Sequence, residues 1–249
     1  MMNMLQLLKS HTSVRDYTNE PISDETFYAM MEAAQHAASS NFVQAYSVIH
    51  VRNGRKKEQL GKLSKNERQF QSAPLALLFC ADLRRLQVAV ERTGNEVELG
   101  SVEDFIIATI DTAIFAQNFV IAAESKGYGI CYIGGVRNNP TEISELFHLP
   151  EKVIPLFGMT VGKPAKKNEV KPRLPVSAII HDDHYDIEKY DTLIQQYDET
   201  MNEYYKRRTN NKKDITWTDT VVSLLSKKRR EHMKDFIQSK GFLRDDLVK

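Results

Sequence analysis

His11, Ser13 and Arg15 put an imidazole, a hydroxyl and a permanent cation into one short polar stretch. That set suits a phosphate or another anion, and it suits a purely turn-stabilising role equally well. Lys171-Pro172-Arg173 adds two cations on an extended, proline-stiffened segment, for which a solvated surface is the plain alternative. A third basic group, Lys206-Arg207-Arg208 with Lys212-Lys213, sits at a helix-to-loop junction beside Asn210 and Asn211, where cations can converge on a phosphate. The fourth, Lys227-Lys228-Arg229-Arg230, reads as a solvated helix face.

The adjacent glycines Gly134 and Gly135 follow the apolar run Ile130-Cys131-Tyr132-Ile133. Two glycines after a buried strand serve either a positive φ or a close approach of backbone to another group, a ligand included.

Other chemistries fail on spacing. Gly61-Lys62-Leu63-Ser64 resembles the end of a phosphate loop, but Gly54 is too far upstream and Leu63 stands where a hydroxyl residue is needed. Gly127-Tyr128-Gly129 precedes its strand, whereas a dinucleotide fingerprint follows one. The seven histidines show no ligand spacing, so no metal is expected. No nucleophile elbow occurs, and the apolar flanks of Cys80 and Cys131 raise rather than lower a thiol pKa. Any catalysis is therefore expected from a cofactor.

These residues need a frame, and hydropathy supplies one. A short helix is expected over residues 4–9 and an amphipathic helix over 24–38, capped by Ser23 or Asp24. A strand follows at 46–51 and a charged helix at 55–65. Residues 75–81 form a continuous apolar run, the type of strand buried on both faces, with a helix at 83–92 and a polar loop at 93–100 after it. Residues 102–126 are apolar on nearly every side, which predicts a helix buried all round, inside a domain or between subunits, and stopped by Gly127. The remaining elements are a strand at 130–133, a helix from Pro140 with Asn139 as cap and Glu142 reaching back, a strand at 155–162 and an extended basic segment at 163–175. Helices at 186–208, 218–227 and 231–240 complete the chain, the last stopped by Gly241 with Phe242 placed for a Schellman contact. One α+β domain over residues 1–249 is expected, with 186–249 as a helical extension packing on the core or on a partner subunit.

The bulk numbers restrict the partners. With 34 basic against 33 acidic residues, no whole-molecule field draws the chain to nucleic acid or an anionic membrane. Residues 105–123 approach spanning length, but Asp111 would cost about 3 kcal/mol at a bilayer centre. Two cysteines in apolar runs suit buried free thiols in a reducing compartment, and residues 1–9 lack the parts of an export signal, so a cytoplasmic protein is expected.

Taken in order, His11-Thr12-Ser13-Val14-Arg15, Ser39-Ser40, Gln44, the 132–138 run, Pro155-Leu156-Phe157-Gly158 and Lys171-Pro172-Arg173-Leu174-Pro175 resemble the nitroreductase family. The likeness extends over essentially the whole chain and is closest to the NADPH-dependent, FMN-containing nitroreductase and flavin reductase subgroup. It implies a mixed sheet flanked by helices in an intertwined homodimer, with the 102–126 helix in the interface and two FMN molecules between the chains. It also implies that His11, Ser13 and Arg15 hold the phosphate and ribityl side of FMN together with Lys171 and Arg173. Ser39 and Ser40 would reach the flavin from the partner, and the run Tyr132, Ile133, Gly134, Gly135 would pass along the ring with the Gly134 N–H toward N5. Where the family commonly has a ring-contacting glutamine this chain has Glu67, so either Glu67 makes that contact or a loop shift hands it to Gln69 or Gln71. Arg208 and Lys212 match basic positions used for the NADPH 2′-phosphate, Lys212 keeping the charge but not the bidentate fork.

The activity so implied is hydride uptake from NADPH by FMN and delivery of two electrons to nitroaromatics, quinones or free flavin in a ping-pong cycle. A dedicated flavin or disulfide reductase of the same family is the alternative within the class. A non-enzymatic nucleic-acid binder using the Lys206 and Lys227 clusters is the alternative outside it, disfavoured by the even charge.

Overall fold

A computed structural model describes residues 3–166, 168–208 and 211–244. Lys167 of the basic segment, Asn210 and the end of the expected extension, 245–249, lie outside the described residues. Contacts cluster into two units, one formed by residues up to 168 together with those from 230 onward, the other by Glu169–Arg229.

The first unit is built on a four-stranded sheet in the order β1-β2-β4-β3, with β1 Tyr46–His50, β2 Leu75–Asp82, β3 Gly129–Ile133 and β4 Val153–Gly162. All three strand pairings are antiparallel, and the parallel component of the expected mixed sheet enters only as the isolated bridge Ser13 to Ile130 among the described residues. Helices cover both faces. Along β2 the side chains alternate: Leu75, Leu77 and Phe79 pack toward α2 (Asp24–Gln35) and α6 (Val102–Ser125). Ala76, Leu78 and Cys80 pack on the opposite side, toward α3 (Gly54–Ser64), α4 (Glu67–Ser72) and α7 (Pro140–Leu146). A central strand covered on both sides needs apolar residues at every position, which is why residues 75–81 read as an unbroken run.

Helix ends follow their caps. Ser23 accepts from the Thr26 N–H at the start of α2. Gly127, at φ 81°, ends α6 as a Schellman turn, with Gly127 N–H donating to Glu124 C=O at 2.9 Å and Tyr128 N–H to Ala123 C=O at 3.1 Å. Gly241 does the same for α10 (Met233–Ser239), with Phe242 N–H reaching Ile237 C=O and its ring fully buried. The remaining α-helices of this unit are α1 (Met4–Lys9) and α5 (Arg84–Glu91), and short 3-10 turns lie at Ser40–Phe42 and Gly134–Asn138.

Two expectations are refined. Asn139 stands at the N-cap of α7, but its side chain makes no cap bond; its amide donates instead to Leu63 C=O at 2.6 Å, back on α3. Within a single copy of the chain α6 buries one side only: Ala108, Thr112, Phe115, Phe119 and Ala123 face the core, while Val102 (48% exposed), Ile106 (43%), Ile110 (50%) and Ile114 (39%) form a stripe at four-residue spacing on the outer side, so of the two expected surroundings the inside of one domain does not account for it.

In the second unit α8 (Tyr190–Arg207) buries Tyr197, Met201, Tyr204 and Tyr205 against Leu174, Ile215 and Trp217, and α9 (Trp217–Leu225) packs beside it. The aromatic stripe is a core.

Candidate functional site

The His11–Arg15 stretch is docked onto the free edge of β3. Val14 N–H donates to Ile130 C=O at 2.8 Å, and the Val14 side chain closes on Gly129, where an added Cβ would lie 2.4 Å from Val14 Cγ2. Gly129 is therefore the glycine that close approach requires. Below the turn, the Tyr17 hydroxyl donates to Val14 C=O at 2.7 Å and lies 2.9 Å from the Thr160 hydroxyl; burial pushes this phenol far up, so it stays a neutral donor. Asn168 secures the other side by donating to Ser13 C=O at 2.8 Å.

Arg15 itself is exposed, and its charge partly opposes the upward push of burial on the Cys131 thiol, which puts the guanidinium within electrostatic reach of β3. His11 meets a partner that hydropathy could not reveal. Its Nδ1 lies 2.5 Å from Oε1 of Glu124, on the last turn of α6. Arg68 of α4 pairs with Asp16, tying that helix to the same turn.

Neither Gly134 nor Gly135 has a positive φ, so conformational freedom does not explain the pair. Gly135 serves packing: its missing Cβ would stand 2.1 Å from Ser64 C=O and 2.4 Å from the Asn66 amide. The end of α3 is held here by three asparagines, Asn66 and Asn138 donating to Ser64 C=O and Asn139 to Leu63 C=O. Gly134 is different. An added Cβ would meet only the end of the Arg137 side chain, at 3.2 Å, a guanidinium held on Leu156 C=O, so no backbone crowds this position.

Tyr132 and Ile133 divide as alternate strand residues must. Tyr132 is partly exposed, edge-on to Phe157, with its hydroxyl 3.5 Å from Gln117 Oε1 and its pKa pushed up to about 12 by burial and then by Glu124. The Ile133 side chain is in the core with Cys131 and Val136, so only its backbone is available to a ligand. Burial raises both thiols, Cys80 most, and both are free.

The expected loop around Glu67 is helix α4, anchored by buried Phe70. Glu67 and Gln71 share one side of it at four-residue spacing and Gln69 points elsewhere, so a loop shift cannot exchange these side chains. Glu67 is exposed and Gln69 half-buried.

Ser39 and Ser40 lie apart from this cluster. Ser40 N–H and Ala45 N–H donate to the two carboxylate oxygens of Asp111, at 2.9 and 3.1 Å. With Ile106, Ile110, Asp111 and Ile114 the two serines line a groove of about 300 Å³. Asp111 and Glu124 are thirteen positions apart on α6, so the serines and His11 attach to stations about 20 Å apart on one rod.

In the second unit Tyr205 joins two residues that the sequence left separate. The Lys171 ammonium lies 5.2 Å from its ring centroid and the Arg208 guanidinium 5.9 Å, with Tyr204 5.7 Å from the latter. Tyr197 donates to Pro172 C=O at 2.9 Å, holding the Lys171-Pro172-Arg173 stretch against α8. Arg173 is exposed and acts on the Tyr197 phenol, while Lys212 is exposed in the following loop.

Comparison with known proteins agrees with these motifs. Residues 8–163 match the Nitroreductase family and residues 171–245 the C-terminal domain of that family. The chain is 52% identical to a Cr(VI) reductase of Pseudomonas sp. strain G-1, over 95% of this chain and 98% of that protein. It is 38% identical to an FMN reductase (NADPH) of Bacillus subtilis, over 97% and 99%. The structure of NfrA1 nitroreductase from B. subtilis superimposes with a TM-score of 0.93 at 38% identity, covering 97% of this chain and 99% of that one.

Proposed function

Because the chain belongs to the nitroreductase family over both its segments, we propose that it is an NADPH-dependent FMN oxidoreductase that reduces nitroaromatics, quinones or free flavin by a ping-pong mechanism. FMN, when bound, supplies the hydride and two-electron chemistry that no side chain of the protein can perform. The observation that carries the reading is the docking of the His11–Arg15 stretch on β3, which sets a fixed cation and an imidazole beside a strand that runs straight into the open backbone of Gly134.

The donor set fits the group. Arg15 is an exposed, always-charged partner for a phosphate, and His11 keeps Nε2 available because Nδ1 is engaged by Glu124. Ser13 is held by its backbone bridge to Ile130 and by Asn168 at its C=O. Gly134 presents backbone without a Cβ, and Tyr132 and Ile133 bring the strand to it. Lys171 and Arg173 supply further cations for FMN, and Glu67 or Gln69 the polar contact to its ring. Gly135 stays in this set through its backbone, while packing against α3 accounts for its missing side chain. Arg208 and Lys212 bind the NADPH 2′-phosphate. A fixed positive charge at this end stabilises anionic charge without a proton transfer, so no acid or base residue is required.

The functional unit is a homodimer. A stripe of isoleucines on α6 next to the groove of Ser39 and Ser40 would otherwise face water, and the 20 Å offset between the two stations on α6 lets these serines serve the site of a second copy. The two buried free thiols favour the cytoplasm, and neither nucleic acid nor a membrane is needed as a partner. The 52% relative is named a Cr(VI) reductase, which adds chromate to the acceptors worth assaying.

The test is an absorbance spectrum of the purified protein, recorded anaerobically before and after NADPH or NADH, followed by steady-state rates on nitroaromatic, quinone, flavin and chromate acceptors. A flavin spectrum bleached faster by NADPH is expected. A colourless protein whose melting temperature is unmoved by added FMN would defeat the reading. Rates confined to free flavin would favour the dedicated flavin reductase.

A further inference from the structure

Asp111 is a buried carboxylate that none of the roles above uses. It stands at the middle of α6, is 1% exposed, and commits one oxygen to Ser40 N–H and the other to Ala45 N–H. These two donors bracket a tight loop in which Asn41, Phe42 and Gln44, all with side chains, have positive φ values of 45°, 61° and 53°. L-residues rarely adopt that conformation, and three so close together persist only where the surroundings over-determine the backbone. The loop's own bonds are Phe42 N–H to Ser39 C=O, Val43 N–H to Ser40 C=O, Tyr46 N–H to Gln44 C=O, Gln44 N–H to the Ser39 hydroxyl and the Gln44 amide to Phe42 C=O. Outside the loop, Arg85 donates to Gln44 C=O at 3.1 Å and Asp82 N–H to Ala45 C=O at 3.0 Å, while the N–H groups at its two ends, those of Ser40 and Ala45, converge on Asp111.

We propose that Asp111 is a positioning residue for the active site: it clamps the 39–45 loop in its strained form so that Ser39 and Ser40 are presented, across the apolar α6 face, to FMN held by a second copy of the chain. This rests on the proposed FMN function and dimer. A carboxylate suits the task because the loop offers two diverging N–H donors to one side chain, and an amide could accept only one of them without turning its own NH₂ against the other. The groove lined by Ser39, Ser40, Asp111 and the α6 isoleucines is where the clamped loop meets the proposed contact face.

The experiment is an FMN titration of full-length apoprotein, read by flavin fluorescence quenching, for wild type, Asp111→Asn, Asp111→Asn with Gln44→Gly, and Thr112→Val. Thr112 is the control: it is equally buried on α6 and bonds to Ala108 and Cys80 carbonyls, not to the loop. The proposal expects Asp111→Asn to weaken FMN binding at least tenfold, Gln44→Gly to recover part of that loss by removing one strained φ, and Thr112→Val to stay within twofold of wild type even if it melts earlier. Wild-type-like affinity in Asp111→Asn, equal weakening in Thr112→Val, or no recovery by Gln44→Gly would overturn it. If Asp111→Asn does not fold, hydrogen exchange on wild type decides: the 39–45 peptide must gain protection when FMN is added, and unchanged exchange would overturn the clamp. A wild type that binds no FMN would defeat the proposed function instead.

Discussion

His11 and Glu124 face one another at 2.5 Å, one from the turn that leads onto β3 and the other from the last turn of α6. The contact fixes which imidazole nitrogen remains for a ligand, because Nδ1 is committed to the carboxylate. It also joins the polar stretch to the longest helix among the described residues.

Glu124→Gln should therefore weaken FMN binding about tenfold, the scale of one charge-assisted hydrogen bond. Combined with His11→Ala the losses should not add, since either change removes the same pair. Equilibrium FMN titrations of both single variants and the double variant check this, and additive losses would show that the pair does not act as a unit.

The two adjacent glycines should separate on substitution. Gly135→Ala forces a Cβ into Ser64 C=O and should cost about 1–3 kcal/mol or more in urea unfolding. Gly134→Ala meets only the Arg137 guanidinium, which is held on Leu156 C=O, and should cost less than Gly135→Ala, within about 1 kcal/mol of wild type, while altering FMN affinity or the bound-flavin spectrum. Equal destabilisation of the two variants would refute the division.

The proposed roles give Arg15 and Arg208 different molecules to bind. Arg15→Ala should lose FMN during purification, whereas Arg208→Ala should retain FMN and raise the KM for NADPH by about tenfold with little change for NADH. Because Arg208 rests over Tyr205, Tyr205→Leu should repeat part of the NADPH effect. Flavin content per chain and the ratio of the two KM values measure this, and equal FMN loss in the two arginine variants would contradict it.

Stability should fall as the pH drops through and below about 6.5. Burial, and next the nearby Arg52 charge, lower the His50 pKa from its usual value, and Nδ1 accepts from Arg52 Nε at 3.1 Å while the Phe27 ring lies tilted against the imidazole at 4.4 Å. A base with a depressed folded pKa binds fewer protons folded than unfolded in that window, so stability rises with pH there and is lost on acidification. The slope from this one proton cannot exceed about 1.4 kcal/mol per pH unit. Melting curves of wild type and His50→Gln between pH 5 and 8 test it: the wild-type deficit should shrink in the variant, and parallel curves would exclude His50.

Local features were legible because they depend on near neighbours. Helix stops at Gly127 and Gly241 follow from the αL conformation that glycine tolerates, and the doubly buried β2 follows from its unbroken apolar run. The ordered motifs from His11 to Arg173 identified the family and its cofactor by themselves. Helix α4 escaped because six residues with one buried apolar side chain carry almost no period.

What the tertiary structure decided is how distant residues share work. Nothing in residues 134–135 tells that one glycine answers to the end of α3 and the other stays open, since the deciding atoms belong to Ser64 and Asn66. Asp111 and Glu124 read only as polar interruptions in an apolar helix until folding set each against a backbone or side chain seventy or more positions away. Sequence determined the elements and the chemistry they carry; only packing, which brings together groups remote in the chain, determined which residues hold that chemistry in place.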